Sequence, residues 1–187
     1  METLILYVYQ ETLDPEIEQL LQGLHNEQTF EIMNENVVKL TAKIDPYEPL
    51  DYYEIYALML SDFEVPVTFI IMLDSLHNML NVELILNYIQ KLPKTYYDGE
   101  DVLLSLIKRF PETMPLLQKA LNKHLEKSLI ETTLAIADAN MNLSIAAKNL
   151  YMHRNTLHYR IEKVIDKTGI NIKTFKGLSI FSLLFRH

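Results

Sequence analysis

The sequence predicts an α+β fold, with an N-terminal body of strands and helices followed by an all-α C-terminal domain. Three observations predict it. Short β-branched runs alternate with helical periodicity in the first part of the chain, and only helical periodicity remains after Gly99. Of the 187 residues, 49% are hydrophobic and 22% charged, with 4 Gly and 7 Pro, which is typical of a globular chain and excludes a disordered one.

The body contains alternating strand and helix patterns. We predict strands at 3–9, 29–33, 37–42 and 66–73, and helices at 14–24, 53–60 and 76–92. Asp14 can cap the first helix, and Pro15 suits its first turn. The order strand, helix, strand, strand, helix, strand, helix is a split βαβ pattern, which predicts a mainly antiparallel sheet. Parallel pairing within that sheet stays open.

The remaining chain is predicted to be helical throughout, at 101–109, 111–126, 127–139, 143–150, 154–167 and 174–186. Asn142 can cap the helix that follows it, and Gly169 suits the left-handed position after a helix end. We therefore expect three parts: an α+β body at 1–110, a helical connector at 111–126 and a helix-turn-helix domain at 127–187. The last helix carries many large apolar residues, so it either closes the core of that domain or forms a dimer contact.

Two short helices joined by the turn 151–153 predict a helix-turn-helix. Ala146 and Ala147 are small enough for the second helix to cross the first closely. In the second helix, Leu157 and Ile161 fall on the face that must pack inward. The other positions carry hydrogen-bonding groups suited to base edges and phosphates in a major groove. The predicted DNA-binding residues are His153, Arg154, Asn155, Thr156, His158, Tyr159, Arg160 and Lys163.

These residues do not all have the same weight or a single interpretation. Arg154, Asn155 and Thr156 are the best candidates for DNA contact. Arg160 lies toward the packed side, where it would brace either the domain or a phosphate. Tyr159 can alternatively stack in a dimer contact. We expect Arg154→Ala to lose sequence preference and Lys163→Ala to weaken all sequences about equally.

The charge distribution supports DNA as the partner. The net charge of −8 argues against nucleic acid for the chain as a whole. However, residues 127–187 carry +5, while residues 1–126 carry −13. A basic segment behind an acidic one is the asymmetry expected when only one part meets phosphate.

The residues of the second helix carry a resemblance to a known family. The run His153 to Arg160, H-R-N-T-L-x-Y-R in pattern, follows Ala146 to Leu150 at a fixed spacing. This arrangement resembles the C-terminal helix-turn-helix of the purine-catabolism and carbohydrate-diacid regulators, the PucR/CdaR type, over about 129–186. The segment 96–107 is similar to the stretch that precedes this domain in the family. The bacterial Fis-type helix-turn-helix is more distantly similar. The turn carries Tyr151 where many such turns have glycine.

The resemblance implies a fold and a function. It implies a ligand-responsive transcription regulator that binds double-stranded DNA as a homodimer. From its element order, the body resembles the family's GGDEF-like middle domain, a cyclase-type fold without cyclase chemistry. The family usually carries a further N-terminal sensor domain, for which we expect no room here. The small-molecule effector, if there is one, therefore stays open.

Other function classes find little support in the sequence. The absence of cysteine excludes disulfides and thiolate sites, and with no visible signal peptide or membrane span we expect a cytoplasmic protein. No Gly-rich phosphate loop or catalytic motif is present, so we expect no enzyme and no cofactor. We expect no metal site either, because two residue sets lack ligand spacing. They are the acids Asp45, Glu48, Asp51, Glu54, Asp62 and Glu64, and the histidines at 25, 77, 124, 153, 158 and 187.

Two alternatives to a specific DNA regulator remain at this point. The helix-turn-helix could be a retained dimerisation or partner-binding element, in which case a cross-linked dimer would show no DNA affinity at low salt. The body could be a degenerate cyclase, which incubation with nucleotide triphosphates and Mg²⁺ would reveal. A tyrosine cluster could line a ligand pocket, although core and rim positions are the commoner use; its members are Tyr47, Tyr52, Tyr53 and Tyr56.

Overall fold

The computed structural model describes residues 3–23, 28–43, 51–63 and 66–186. The chain divides into two compact units. Unit 1 comprises Met1–His77 and Asn81–Gly99, and unit 2 comprises Asn78–Leu80 and Glu100–His187. The α+β body and the helical C-terminal region are confirmed. The contacts divide the chain after Gly99 rather than at residue 110, and the predicted domain boundaries 1–110, 111–126 and 127–187 stay a prediction.

Unit 1 is built on a five-stranded sheet with the strand order β2-β3-β1-β4-β5. Neighbouring strands are antiparallel, except that β5 pairs with β4 in parallel. In the centre of the sheet, Leu6 of β1 lies opposite Leu40 of β3 and Ile71 of β4. The elements are β1 (Thr3–Tyr9), α1 (Pro15–Gly23), β2 (Gln28–Asn34), β3 (Val37–Lys43), α2 (Tyr52–Phe63), β4 (Thr68–Leu73), α3 (Asp74–Met79), α4 (Val82–Ile89) and β5 (Tyr96–Asp98).

The four antiparallel strands form the predicted split βαβ arrangement. The unit β1–α1–β2 has its two strands separated by β3, and the unit β3–α2–β4 has its strands separated by β1. The two βαβ units are therefore interleaved, and neither makes a sheet alone. The apolar core of unit 1 lies where α1 and α2 cover one face of this sheet, with Ile17 and Met59 fully buried there.

Tyr7 lies on the opposite face of β1, since side chains alternate along a strand. Its hydroxyl is 2.9 Å from Nε2 of His77 in α3, and the two rings stack. Burial, together with the nearby Glu31 carboxylate, raises the pKa of the Tyr7 phenol to about 12. The phenol is therefore held neutral at any physiological pH.

Two element predictions in and after this unit are wrong, and one strand was missed. The single helix predicted at 76–92 is two helices, because the Asn81 side chain caps a new start by accepting from the Glu83 amide at 2.9 Å. The short strand β5 was not predicted, since three residues give too little pattern. The predicted helix 111–126 begins as a 3-10 turn at Pro111–Thr113 before α6.

Unit 2 is helical, with α7 at its centre. In the described part of the chain its helices are α5 (Gly99–Arg109), α6 (Met114–His124), α7 (Lys127–Asp138), α8 (Leu143–Asn149), α9 (Arg154–Thr168) and α10 (Phe175–Phe185). Helix α7 packs against α8, α9 and α10. Phe181 and Leu184 of α10 are fully buried, so the last helix closes this core, while Phe175 of the same helix is 79% exposed. None of the described helices combines the length and apolarity that crossing a bilayer requires.

Candidate nucleic-acid interface

The two helices of the helix-turn-helix, α8 and α9, pack against each other and against α7. Ala146 and Ala147 of α8 are buried, as are Leu157 and Ile161 of α9. Small side chains allow two helices to approach closely where they cross. The burial of the two alanines agrees with the crossing role predicted for them.

The turns on either side of α8 contain left-handed residues that are not glycine. Asn140 and Met141 have φ angles of 50° and 66°, and Tyr151 has a φ of 51°. Such backbone costs an L-residue about 1–2 kcal/mol, so the packing of the three helices must stabilise both turns. After the first turn, the Asn142 side chain caps α8 as predicted, accepting from two backbone amides at 3.1 Å each.

His153 caps the start of α9 with its side chain. The backbone amide of Asn155 donates to His153 Nδ1 over 3.2 Å. Nδ1 is the acceptor in this contact, which leaves Nε2 as the ring nitrogen directed away from the cap. The cap thus orients an exposed side chain at the start of α9.

Most of the predicted DNA-binding residues lie together on the first two turns of α9. They offer guanidinium, amide, hydroxyl, imidazole and phenol groups, which are the heads that pair with base edges and phosphates. Five of them are exposed, and only His158 is half-buried. The six are His153, Arg154, Asn155, Thr156, His158 and Tyr159.

The C-terminal half of the same outward stripe is acidic. Asn155, Tyr159, Glu162 and Asp166 recur at positions i, i+4, i+7 and i+11, which share one side of a helix. Glu162 forms an ion pair with Lys173 at 2.7 Å. Carboxylates repel phosphate, so along this stripe only the N-terminal end of α9 is suited to DNA.

Arg160 and Lys163, the other two predicted residues, are engaged within unit 2. The Arg160 guanidinium donates to the Thr132 hydroxyl at 2.9 Å and to the Ser128 carbonyl at 3.4 Å, both on α7. The Lys163 ammonium lies 2.9 Å from a carboxylate oxygen of Glu126. The structure therefore does not bring these two side chains into the cluster formed by the other six.

Glu126 is the residue of this region that the sequence did not indicate. Its hydrogen bond with Lys163 lowers the pKa of the Glu126 carboxyl, and the same bond raises the pKa of the Lys163 ammonium. Both groups are thus charged in the folded protein. The two residues are 37 positions apart, and no motif or periodicity joins them. Tyr151, which the sequence marked only as standing where many turns have glycine, has a side chain that is 98% exposed.

A cleft of about 720 Å³ lies beside α10 within unit 2. Its lining is largely apolar, with Met141 and Leu183 in it, and Phe175 is at its exposed side. Lys108 and Arg186 also line it, and Arg186 forms an ion pair with Asp138 at 2.5 Å.

The acidic and tyrosine clusters of the body are only partly described. Asp45, Tyr47, Glu48 and Glu64 lie outside the described residues, as do His25, His187 and the side chain of Asp62. In the described ranges, no three His, Asp or Glu side chains gather in a way that could hold a metal ion. Tyr53 and Tyr56 pack with Tyr96, and Tyr56 also contacts Phe69, so this cluster extends from the core to an exposed rim.

Comparisons with known proteins place the helix-turn-helix in a known domain family. Residues 129–186 match the PucR C-terminal helix-turn-helix domain. A protein of Bacillus subtilis (strain 168), the uncharacterized protein YxkF, is 44% identical over 52 residues, which are 28% of this chain and 18% of that protein. The chain thus spans less than a fifth of that relative. The structure of the regulator of polyketide synthase expression from Bifidobacterium adolescentis is similar at a TM-score of 0.44 and 9% identity. The alignment covers 99% of this chain and 79% of that one.

Proposed function

Because residues 129–186 match the PucR C-terminal helix-turn-helix domain, we propose that the chain is a sequence-specific transcriptional regulator that reads the major groove with α9. One observation carries the proposal. Six polar side chains share the first two turns of a helix whose opposite face, with Leu157 at its centre, is buried in the domain core. Recognition helices of this motif present their N-terminal residues to base edges in the same way.

The net charges of the two units support DNA contact by unit 2. Unit 1 carries 4 Lys and Arg against 17 Asp and Glu, while unit 2 carries 13 against 8. Unit 2 is therefore net positive by 5 in a chain that is net negative by 8. Phosphate attraction steers the basic unit to DNA, whereas the acidic unit is repelled.

The proposal divides the roles among the eight predicted residues. Arg154 and Asn155 are suited to guanine and adenine edges respectively, and Thr156 to either base. His153, His158 and Tyr159 flank them and are suited to phosphate or base contact. We propose that Arg160 and Lys163 contact phosphates and not bases. Both side chains lie on the flank of α9 and already have partners on or next to α7.

We further propose that the chain acts as a homodimer. One helix-turn-helix covers little of the duplex, and two copies about 34 Å apart reach two half-sites on the same side of DNA. The exposed ring of Phe175 on α10 supports a protein contact at that helix. A sedimentation measurement at low micromolar protein should find a dimer that Phe175→Ser weakens.

Selection of bound sequences from a random DNA pool tests the proposed function. We expect an enriched palindromic site whose binding weakens steeply with salt. Arg154→Ala should weaken binding to that site by about ten- to a hundredfold, with little effect on unrelated DNA. Asn155→Ala should relax the preference at a single base position.

Arg109→Ala is the matched control for Arg154→Ala. It removes the same charge from an exposed position in unit 2 that lies outside the matched domain. If the two variants bind the selected site equally, the loss is one of net charge and α9 does not read sequence. A pool that enriches no sequence at all would exclude specific recognition.

A partner-binding protein with a retained helix-turn-helix is the second candidate function. The apolar cleft beside α10 favours it, because exposed apolar surface is typical of protein contacts. A chain that cross-links to itself or a partner but has no affinity for DNA at low salt would establish this alternative.

For the body, we propose a GGDEF-like fold without cyclase activity, which senses an effector or contributes to the dimer. The interleaved βαβ units support the fold assignment, and the match of the other unit to a DNA-binding domain favours regulation over catalysis. Incubation with nucleotide triphosphates and Mg²⁺ should yield no cyclic product. A cytoplasmic location is part of the same proposal.

A further inference from the structure

One flank of α9 carries three basic residues that do not project among the groups proposed to read DNA. Arg160, Lys163 and Lys167 recur at i, i+3 and i+7, so they share one side of the helix. Basic side chains beside a recognition face ordinarily contact the phosphates that border the groove. Here they have other partners.

A single carboxylate holds both lysines. Oε1 of Glu126 lies 2.9 Å from Nζ of Lys163 and 3.9 Å from Nζ of Lys167. The two lysine side chains are 30% and 39% exposed, whereas that of Lys127, next to Glu126 in the chain, is 90% exposed. The ammonium groups of the α9 flank therefore lie at the start of α7, beside the Glu126 carboxylate.

The Glu126 side chain has no capping role that would explain its position. Glu126 is the N-cap residue of α7 by backbone geometry, but its side chain makes no cap hydrogen bond. The hydrogen bond with Lys163 is also the largest cause of the lowered pKa of Glu126, so the pair is ionised when the protein is folded. The carboxylate is thus directed at the lysines of α9 and not at the helix it precedes.

We propose that Glu126 limits the affinity of the domain for DNA by holding Lys163 and Lys167 back from the phosphates. This inference rests on the proposed function and names a residue that lowers the affinity for DNA. In the free protein the carboxylate competes with the phosphate backbone for the same two ammonium groups. Binding must either break the ion pairs or proceed without these lysines.

Glu126→Gln tests the proposal, because glutamine keeps the size of the side chain and removes its charge. Breaking an exposed ion pair opposes binding by up to about fivefold, so the variant should bind a short mixed-sequence duplex more tightly by about two- to fivefold. The freed lysines should also steepen the fall of log K with log salt, by about one unit for each additional phosphate that they neutralise. Since no cap is lost, the unfolding temperature should stay close to that of the unchanged protein.

Glu131→Gln is the matched control. Glu131 is on α7, its side chain is 57% exposed against 60% for Glu126, and it pairs with a lysine, Lys127, at 3.7 Å. The two variants change the net charge equally. Only Glu126→Gln should increase affinity beyond the small gain that any lost negative charge gives, and the excess should vanish when Lys163 and Lys167 are both replaced by alanine.

The outcomes separate this inference from the proposed function. Equal affinity and equal salt dependence for Glu126→Gln and Glu131→Gln would overturn the role of Glu126 while leaving DNA binding in place. An excess gain that persists without Lys163 and Lys167 would overturn it as well. If the unchanged protein has no affinity for the duplex at low salt, the proposed function itself fails.

Discussion

Units 1 and 2 bury their apolar residues through different kinds of contact. In unit 1 the central strand β1 pairs with β3 and β4, so that Val8 lies opposite Val38 and Phe69. In unit 2 the helices α7, α8 and α9 follow one another in the chain and pack directly together. One core is thus assembled from distant segments and the other from neighbours. A functional motif made of neighbouring segments can be recognised in a sequence, whereas a surface made of distant segments cannot.

The charge of the two units follows the same division. The acidic unit 1 contains the interleaved sheet, and the basic unit 2 contains the helices with the polar N-terminal end of α9. The comparison predicts that the two units can be damaged separately. The predictions below test this separation, beginning with the largest expected effect.

Removing a buried ring from each core should show whether the units are independent. Phe181→Ala in unit 2 and Phe69→Ala in unit 1 each empty a fully buried site, at a cost of about 3–5 kcal/mol of unfolding free energy. Urea unfolding checks the cost, since the chain has no Trp and 11 Tyr to report by fluorescence and near-UV dichroism. Phe181→Ala should abolish DNA binding while the tyrosine dichroism of unit 1 persists.

Phe69→Ala should have the converse result, with DNA binding retained after the tyrosine signal is lost. If either substitution removes both signals over one urea transition, the two units unfold cooperatively, and the division into separate bodies is structural only.

Replacing one glycine in each unit by alanine should change the stability of the two units differently. A Cβ at Gly177 of α10 would collide with the backbone carbonyl of Asn171, which cannot move without shifting the turn before the helix. Gly177→Ala should therefore destabilise unit 2 by about 1–3 kcal/mol. The measurement is the midpoint of thermal or urea unfolding, with the circular dichroism of the helices as the signal.

Gly23→Ala is the control in unit 1, at the last residue of α1. Among the described residues, no atom lies within 4 Å of the Cβ it would add, so stability should stay the same or rise by about 0.5–1 kcal/mol. A Gly177→Ala variant as stable as Gly23→Ala would mean that the 171–177 segment adapts freely and does not fix α10.

Alkaline pH should also distinguish the units, because the tyrosines with raised pKa values lie in unit 1. The folded-state pKa of Tyr7 is raised from 10.0 to about 12, so its contribution to stability is fully present below pH 10 and is lost as the pH rises through about 12. Tyr52, where burial raises the pKa to about 12, should add to the same loss. Both belong to unit 1, whereas Tyr151 and Tyr159 of unit 2 are exposed.

Unfolding of unit 1 should therefore become easier between pH 10 and about 12, and Tyr7→Phe should reduce this pH dependence. The midpoint of urea unfolding across this range is the measurement, with Tyr159→Phe as the control. If the urea midpoint falls with pH in the same way for the unchanged protein and for Tyr7→Phe, another group causes the loss of stability.

The elements that the sequence predicted well are those with local signals. Helix α9 was predicted at 154–167 and is observed at Arg154–Thr168, because the apolar periodicity of the helix and Gly169 at its end are both local signals. Gly169 has the expected left-handed φ of 67°. Strand β1 was predicted at its observed bounds, since an uninterrupted run of strand-forming residues leaves no other interpretation.

The elements and partners that were missed depend on distant contacts. Strand β5 exists because Tyr97 pairs with Ile70 of β4, and the three residues of the strand contain no local pattern that predicts this pairing. Likewise, the sequence placed Lys163 on the DNA-facing side, and no local pattern showed that Glu126 lies against it. The polar face of α9 was predictable residue by residue, but the competition for its basic flank was not.

The position of β1 in the middle of the sheet has a consequence for how the chain folds. β1 is synthesised before both of its sheet neighbours, and one of them, β4, is not complete until Leu73. Pairing of distant segments is slow, so unit 1 should fold more slowly than the helices of unit 2, whose contacts are local. Until β4 arrives, one edge of an apolar strand without proline or charge stays unpaired, which is the property of aggregation-prone segments. A fragment that ends before Thr68 should therefore aggregate, whereas the complete unit 1 should not.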